Sequence, residues 1–292
     1  MIRTMPLMLT LELITWPLVA FAFALGAVVG SFLNVCIHRI PADESVVRPG
    51  SRCPECRTPI AWYDNVPIVS WLVLRARCRR CGAGIAARYP MVEALAGLLA
   101  VAALVRIGPT AHDVAAFAFT AALLLITFID LDHLFIPDEV SLPGIGVGLA
   151  VALLPGGVTL PDAVGGAVLG GGMLWGIAWG YEQLTGIEGM GFGDVKLLAM
   201  IGAFVGWQGI PVVLLIASIT GSVAGVLVIF SRRGRAGLGR VRRTLGARAA
   251  LPYLRRLGRT TEIPFGPFLA LGAVVVLFVP ELVPAWPVVF LP

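Results

Sequence analysis

Charge is scarce in this chain. Only 13% of its 292 residues are Asp, Glu, Lys or Arg, while 58% are hydrophobic; soluble domains carry about 25% charged residues. A water-soluble globular fold is excluded, and the chain is expected in a bilayer. Positive charge is missing from most of the sequence. Of 22 Lys and Arg, nine lie between Arg39 and Arg88 and ten between Arg232 and Arg259, leaving only Arg3, Arg106 and Lys196 elsewhere. The net charge of +5 therefore sits in two blocks. Such blocks suit anionic membrane lipid, and no nucleic-acid partner is expected. A signal-peptide pattern is also lacking. Arg3 is the only basic residue before an apolar run that continues to about Val35, and the charge follows that run, the reverse of a signal peptide. A retained first helix with its N-terminus outside is expected. The glycines of the Gly165–Gly172 cluster lie inside an apolar span without a preceding strand, which removes a nucleotide-loop reading. There is no soluble repeat and no long low-complexity linker.

What the sequence does contain is a series of apolar spans. They fall at residues 13–36, 89–106, 113–131, 139–154, 162–182, 194–207, 209–230 and 264–283. The expected fold is an all-α polytopic membrane protein with about eight transmembrane helices. Eight crossings starting from outside place both arginine blocks on the cytoplasmic side, as the positive-inside rule requires. The implied organisation is a first helix (1–37), a cytoplasmic module (38–88), a membrane core (89–231), a basic loop (232–263) and a last helix with the C-terminus (264–292). The fourth and sixth spans are short for a crossing of about 20 residues. Gly26 with Gly30, and Gly172 with Gly176 and Gly180, give small-xxx-small stripes expected to serve as helix-packing faces.

Four of the five cysteines form two C-x-x-C pairs, Cys53–Cys56 and Cys78–Cys81. Two such knuckles can close a tetrahedral zinc site, with Pro54 and Gly82 suited to the turns. Neighbouring arginines are expected to help ionise the thiols. The competing reading is two disulfides, which a reducing compartment disfavours. A closed four-thiolate site leaves no open position for catalysis. Cys36, alone at the end of the first span, reads as a buried apolar residue.

Carboxylates in or beside an apolar span are costly, roughly 2.5–3.5 kcal/mol on insertion scales, and so point to function. Asp130 closes the third span, and Asp194 opens the sixth within Gly191-Phe-Gly193-Asp194. Both map to the same membrane face. If they meet, they can share a proton: the charged member activates water and the protonated one polarises a peptide carbonyl. Gly191 and Gly193 leave room for a substrate backbone. From spacing alone, Asp194 can equally be a helix cap, and Asp130, Asp132 and Asp138 can be ordinary interfacial charges. His133 reads as an interfacial histidine facing water, Lys196 as a snorkelling residue or the partner of an acid, and Glu93 as an acid that pairs with a basic loop residue or lines the site.

An ordered series of segments resembles the prepilin peptidases, or type IV leader peptidases, intramembrane aspartic proteases of the GxGD type. The series runs Gly30-Ser-Phe-Leu-Asn-Val35, Arg39-Ile-Pro41, Cys53-Pro-Glu-Cys56, Trp62 to Trp71, Cys78-Arg-Arg-Cys81-Gly82, Arg88-Tyr-Pro-Met-Val-Glu93, Asp130 seven residues before Pro137, and Gly191-Phe-Gly193-Asp194-Val-Lys196. The resemblance assigns the catalytic pair to Asp130 and Asp194, with Asp132 and Asp138 in support. It implies removal of the short basic leader of prepilins and pseudopilins at the cytoplasmic face of a bacterial inner membrane. It further implies methylation of the new N-terminus with S-adenosylmethionine, although no soluble methyltransferase fold is recognisable. Ala76 departs from the family, where a glycine is usual. The alternatives are a proton- or ion-coupled transporter using the embedded acids, or a non-catalytic zinc-bearing scaffold of a secretion assembly.

Overall fold

The computed structural model describes residues 15–186, 191–230 and 263–283. The basic block of residues 232–259 falls outside them. Eight helices of thirteen or more residues follow in order: α1 (Trp16–Arg39), α3 (Arg88–Ile107), α4 (Ala111–His133), α5 (Asp138–Val151), α6 (Leu160–Thr185), α7 (Phe192–Val205), α8 (Ile210–Phe230) and α9 (Gly266–Phe278). A short helix, α2 (Val69–Val73), lies in the module between α1 and α3. No strand occurs among the described residues, only two isolated bridges in that module. The fold is therefore an all-α membrane bundle carrying a small cysteine module, as the apolar spans predict.

Five helices, α1, α3, α4, α6 and α8, are long and apolar enough to cross a bilayer. Helices α5 and α7 have 14 residues and α9 has 13. At 1.5 Å per residue each covers only about 20 Å of a hydrocarbon core about 30 Å thick. The candidate site lies where α5, α7 and α9 begin.

Helix α4 is the central element. Its Phe119, Leu123, Ile126 and Ile129 are almost fully buried, and so are Leu197, Leu198, Met200 and Ile201 of α7. Turn chemistry sets the ends. Thr110 and Thr159 cap α4 and α6 through their hydroxyls, satisfying amides that a helix start leaves free. One end of the bundle gathers Arg39, Arg88, Asp132, Asp138 and Lys196, with Arg88 paired to Asp132 and Lys196 to Asp138. The opposite end carries the Arg106–Glu281 pair at 3.0 Å and the Asp162 carboxylate, which accepts from Trp207 Nε1 at 3.0 Å.

Glycine brings several helix pairs into close contact. A methyl added to Gly26 would stand 2.7 Å from the Ala96 carbonyl oxygen, and one added to Gly30 would stand 2.7 Å from Glu93 Cα, so α1 and α3 touch backbone to backbone. Gly166 of α6 and Gly202 of α7 face each other in the same way. The expected stripe of Gly172, Gly176 and Gly180 is corrected: nothing lies within 4 Å of a methyl built on any of the three. Gly172 and Gly176 are six and ten residues past Gly166, rotations of about 240° and 280° on the helix, so both point well away from the Gly202 contact. Gly166→Ala is expected to cost about 1–3 kcal/mol by overpacking, whereas Gly176→Ala should be neutral to within about 0.5 kcal/mol. Thermal unfolding of both variants in detergent checks this, and equal melting temperatures would contradict the α6–α7 contact.

Candidate active site and metal centre

The site assembles at the charged end of the bundle. Asp130 lies in the last turn of α4, only 5% exposed. Its Oδ2 accepts the backbone N–H of Gly266, the first residue of α9, at 3.0 Å. A methyl on Gly266 would stand 2.5 Å from that oxygen, so only glycine lets the α9 backbone come this close to the carboxylate. The chain leaves α4 through Leu134 in a left-handed conformation (φ 57°) and turns into α5 at Pro137. Ile136, buried in this turn, packs on both sides of the site. Methyls built on Gly193 and on Gly266 would meet it at 3.0 and 3.4 Å.

Asp194 stands in the first turn of α7, three residues after the N-cap Gly191, and is half-buried. It therefore does not cap the helix with its side chain; Gly191, which has no side chain, occupies the cap. Gly193, next to Asp194, packs on Ile136, which also lies against Gly266, the residue that holds the Asp130 carboxyl. The first turn of a helix also favours a negative group. Asp130 and Asp194 thus come together around Ile136 and Gly266.

The supporting acids have other partners. Arg88 of α3 binds Asp132 and also donates to the Phe128 carbonyl of α4 at 3.3 Å. Lys196 donates to both Asp138 oxygens at 2.7 Å, joining α7 to the start of α5. Lys196 is thus an acid's partner, one of its two expected roles. Both pairs clamp the helix ends around the site and neutralise acids that would otherwise add like charge to it. His133 is exposed, in ring contact with Phe135. Glu93 departs from its expected pairing with a basic residue. Buried on α3, it accepts the backbone N–H of Ile68 at 2.7 Å and bonds the Ser31 side chain.

Gly266 and Ile136 are not among the residues singled out from the sequence. A signal for the first exists: Pro264-Phe-Gly266-Pro267 opens the last apolar span, and a glycine between prolines marks a backbone held for close approach.

The candidate metal centre is separate. The Sγ atoms of Cys53, Cys56, Cys78 and Cys81 all lie within 4.8 Å of one another. Those of Cys53 and Cys81 are 3.8 Å apart, the edge expected of a thiolate tetrahedron with metal–sulfur bonds of about 2.3 Å. A disulfide would need about 2.05 Å, and all five cysteines are free. The two knuckles repeat one backbone pattern. Cys53 N–H donates to Thr58 O and Arg57 N–H returns to Cys53 O; Cys78 N–H donates to Ala83 O and Gly82 N–H returns to Cys78 O. Bridges Arg52–Pro59 and Arg77–Gly84 close them at equivalent positions. The donor set fits a metal ion. Hydrogen bonds from the Thr58 side chain and backbone lower the Cys56 thiol to about 6, and backbone hydrogen bonds from Cys81 and Arg80 lower that of Cys78. Local hydrogen bonding, not the expected arginine charge, is the stronger cause. Arg75 and Ala76 have φ of 51° and 57°, the left-handed region that glycine adopts without strain. Ala76 therefore carries a strain there that glycine would not.

A polytopic helix bundle with an acid pair at one end and a four-thiol module beside it defines a class of membrane protein, and the sequence comparisons identify which. The model described as Bacterial Peptidase A24 N-terminal domain matches residues 24–107, and that of the Type IV leader peptidase family matches residues 117–226. A "Prepilin leader peptidase/N-methyltransferase" from Aeromonas hydrophila is 39% identical over 295 residues, covering 93% of this chain and 94% of that protein. Proteins of the same description from Burkholderia pseudomallei (strain 1026b) and Myxococcus xanthus (strain DK1622) are 39% and 47% identical, over 89% and 74% of this chain and 84% and 64% of their own lengths. No solved structure matches. The chain belongs to the type IV leader peptidase family.

Proposed function

We propose that this chain removes the basic leader from type IV prepilins and pseudopilins by aspartic acid–base catalysis and then methylates the new N-terminus. The observation that carries the peptidase reading is that the end of α4 with Asp130 and the start of α7 with Asp194 meet on one buried side chain, Ile136, at one end of the bundle. One carboxylate takes a proton from water as the water attacks the scissile carbonyl. The other, protonated, polarises the carbonyl oxygen and later protonates the leaving amine. No covalent enzyme intermediate forms. Gly266 N–H fixes the Asp130 carboxyl, and the open space beside Gly191 leaves a lane for the substrate backbone. Asp132, Asp138, Lys196 and Arg88 hold the helix ends in register.

The module's metal is zinc in this reading. Four thiolates fill its coordination shell, so its role is structural. In this reading the site and module face the cytoplasm at a bacterial inner membrane, with eight crossings and the N-terminus outside, and the clustering of basic residues in two blocks supports it. A transporter would use carboxylates near the bilayer midplane; here both aspartates lie at one end. The methyl transfer rests on the names of the relatives together with the residues that match them.

The test is incubation of the purified chain in detergent with a prepilin. Mass spectrometry should show a product shortened by its leader, cut after a glycine and before the apolar helix. An uncut prepilin in the presence of folded chain would overturn the reading.

A further inference from the structure

The aspartate pair leaves one sizeable cavity unused. A cavity of about 460 Å³ opens between α1 and the cysteine module. One wall is the face of α1 carrying Val28, Ser31, Phe32 and Val35. The other walls are the loop at Val46–Ser51 and the turn holding Asn65 and Pro67.

Each wall is held in place. Arg39, itself at the cavity, donates to the carbonyls of Ser45 at 2.9 Å and Pro49 at 2.7 Å, pinning the loop. The Ser70 hydroxyl accepts from Val66 N–H and donates to Tyr63 O, both at 3.0 Å, fixing the turn. Ile68, next to cavity-lining Pro67, has φ of 63°. For a β-branched residue that is a true outlier, and such strain gathers at ligand clamps. The buried Glu93 carboxylate of α3 accepts the Ile68 N–H at 2.7 Å and so holds the turn against the helices.

We propose that this cavity is the methyl-donor pocket, and that its ligand is S-adenosylmethionine; this rests on the methyltransferase part of the proposed function. The volume lies within the range of about 300–1,000 Å³ typical of small-molecule sites. The apolar walls at Val28, Phe32, Val35 and Val46 suit a heterocyclic base. Ser31, Ser51, Asn65 and Arg39 supply the few polar groups that orient such a ligand, the guanidinium matching the donor's carboxylate. Glu93, behind Ser31 and Pro67, puts a carboxylate near a ligand that carries a sulfonium and an ammonium. In the transfer, the lone pair of the substrate's terminal amine takes the methyl carbon. The carbon–sulfur bond breaks with its pair going to sulfur, which becomes a neutral thioether, and the amine loses a proton to solvent. Glu93 is a positioning residue, acting through Ile68.

The experiment measures donor binding directly, alongside prepilin cleavage. Purified full chain in detergent is titrated calorimetrically with S-adenosylmethionine and, separately, irradiated with methyl-labelled donor before peptide mapping. The label is expected in the 28–51 peptides. Val35→Trp, which fills the cavity, should weaken donor binding at least about tenfold, or ~1.4 kcal/mol, while prepilin cleavage continues. Gly50→Phe, on the opposite wall, should do the same without touching a helix. Label found elsewhere, or unchanged affinity in both variants, overturns the pocket. A wild-type chain that cleaves prepilin but binds no donor overturns the pocket and the methylation together and leaves the peptidase standing. Loss of both activities in folded wild-type chain overturns the whole functional reading.

Discussion

Asp130→Asn and Asp194→Asn should each abolish leader removal, by at least about 100-fold, the lower range of what a positioned acid–base group contributes. Asparagine keeps the size of the side chain and can still accept the Gly266 N–H at position 130, so the bundle should insert and pack as before. It cannot exchange a proton with water. Cleavage of a prepilin by equal amounts of folded variant and wild type is the measurement. Near-normal processing by both would end the assignment. Asp132→Asn and Asp138→Asn make the contrast. Each removes one half-exposed ion pair, worth about 0–1 kcal/mol, so activity should drop by no more than a few-fold. The acid pair also predicts a pH profile. Catalysis needs one proton shared between two carboxyls, so activity is present at acidic to neutral pH and is lost as alkali removes that proton. An undiminished rate in strong alkali would contradict the pair.

The helices were legible because lipid demands long apolar runs, and most boundaries fall within about three residues of expectation. The largest difference is at the last helix. The apolar run extends to 283, but α9 stops at Phe278 because Pro280 follows and cannot continue a helix. The aspartates and cysteines were legible from spacing within short motifs. What was not legible depends on contacts between distant segments. The Gly266 amide reaches Asp130 across 136 positions, and Glu93 reaches Ile68 across 25. The α6 glycines show the same limit. Spacing reveals that a face is small, and only the neighbouring helix decides whether Gly166 or Gly176 meets a backbone.

Loss of the thiolate set should unfold the module. Among residues 43–87, Cys53 is the only apolar residue that is fully buried. A segment of this size without a hydrophobic core does not hold itself together, and the two knuckles share no strand pairing with each other. A metal held by the four thiols would therefore join them, and its binding energy would be folding energy. Cys53→Ser combined with Cys78→Ser removes one ligand from each knuckle. The expected results are loss of chain-bound zinc by elemental analysis, rapid proteolysis within residues 43–87 and a lower folded yield. Strong chelators should reproduce this on the wild-type chain. The module also supplies Ile68 to Glu93 and two walls of the cavity beside α1. Donor binding should therefore fall with the zinc, while the aspartate pair, built on α4, α7 and α9, should keep cleaving in those molecules that remain folded. Full zinc retention in the double variant would contradict the four-thiolate centre. Parallel loss of cleavage and donor binding per folded molecule would show instead that module and aspartates form one cooperative unit.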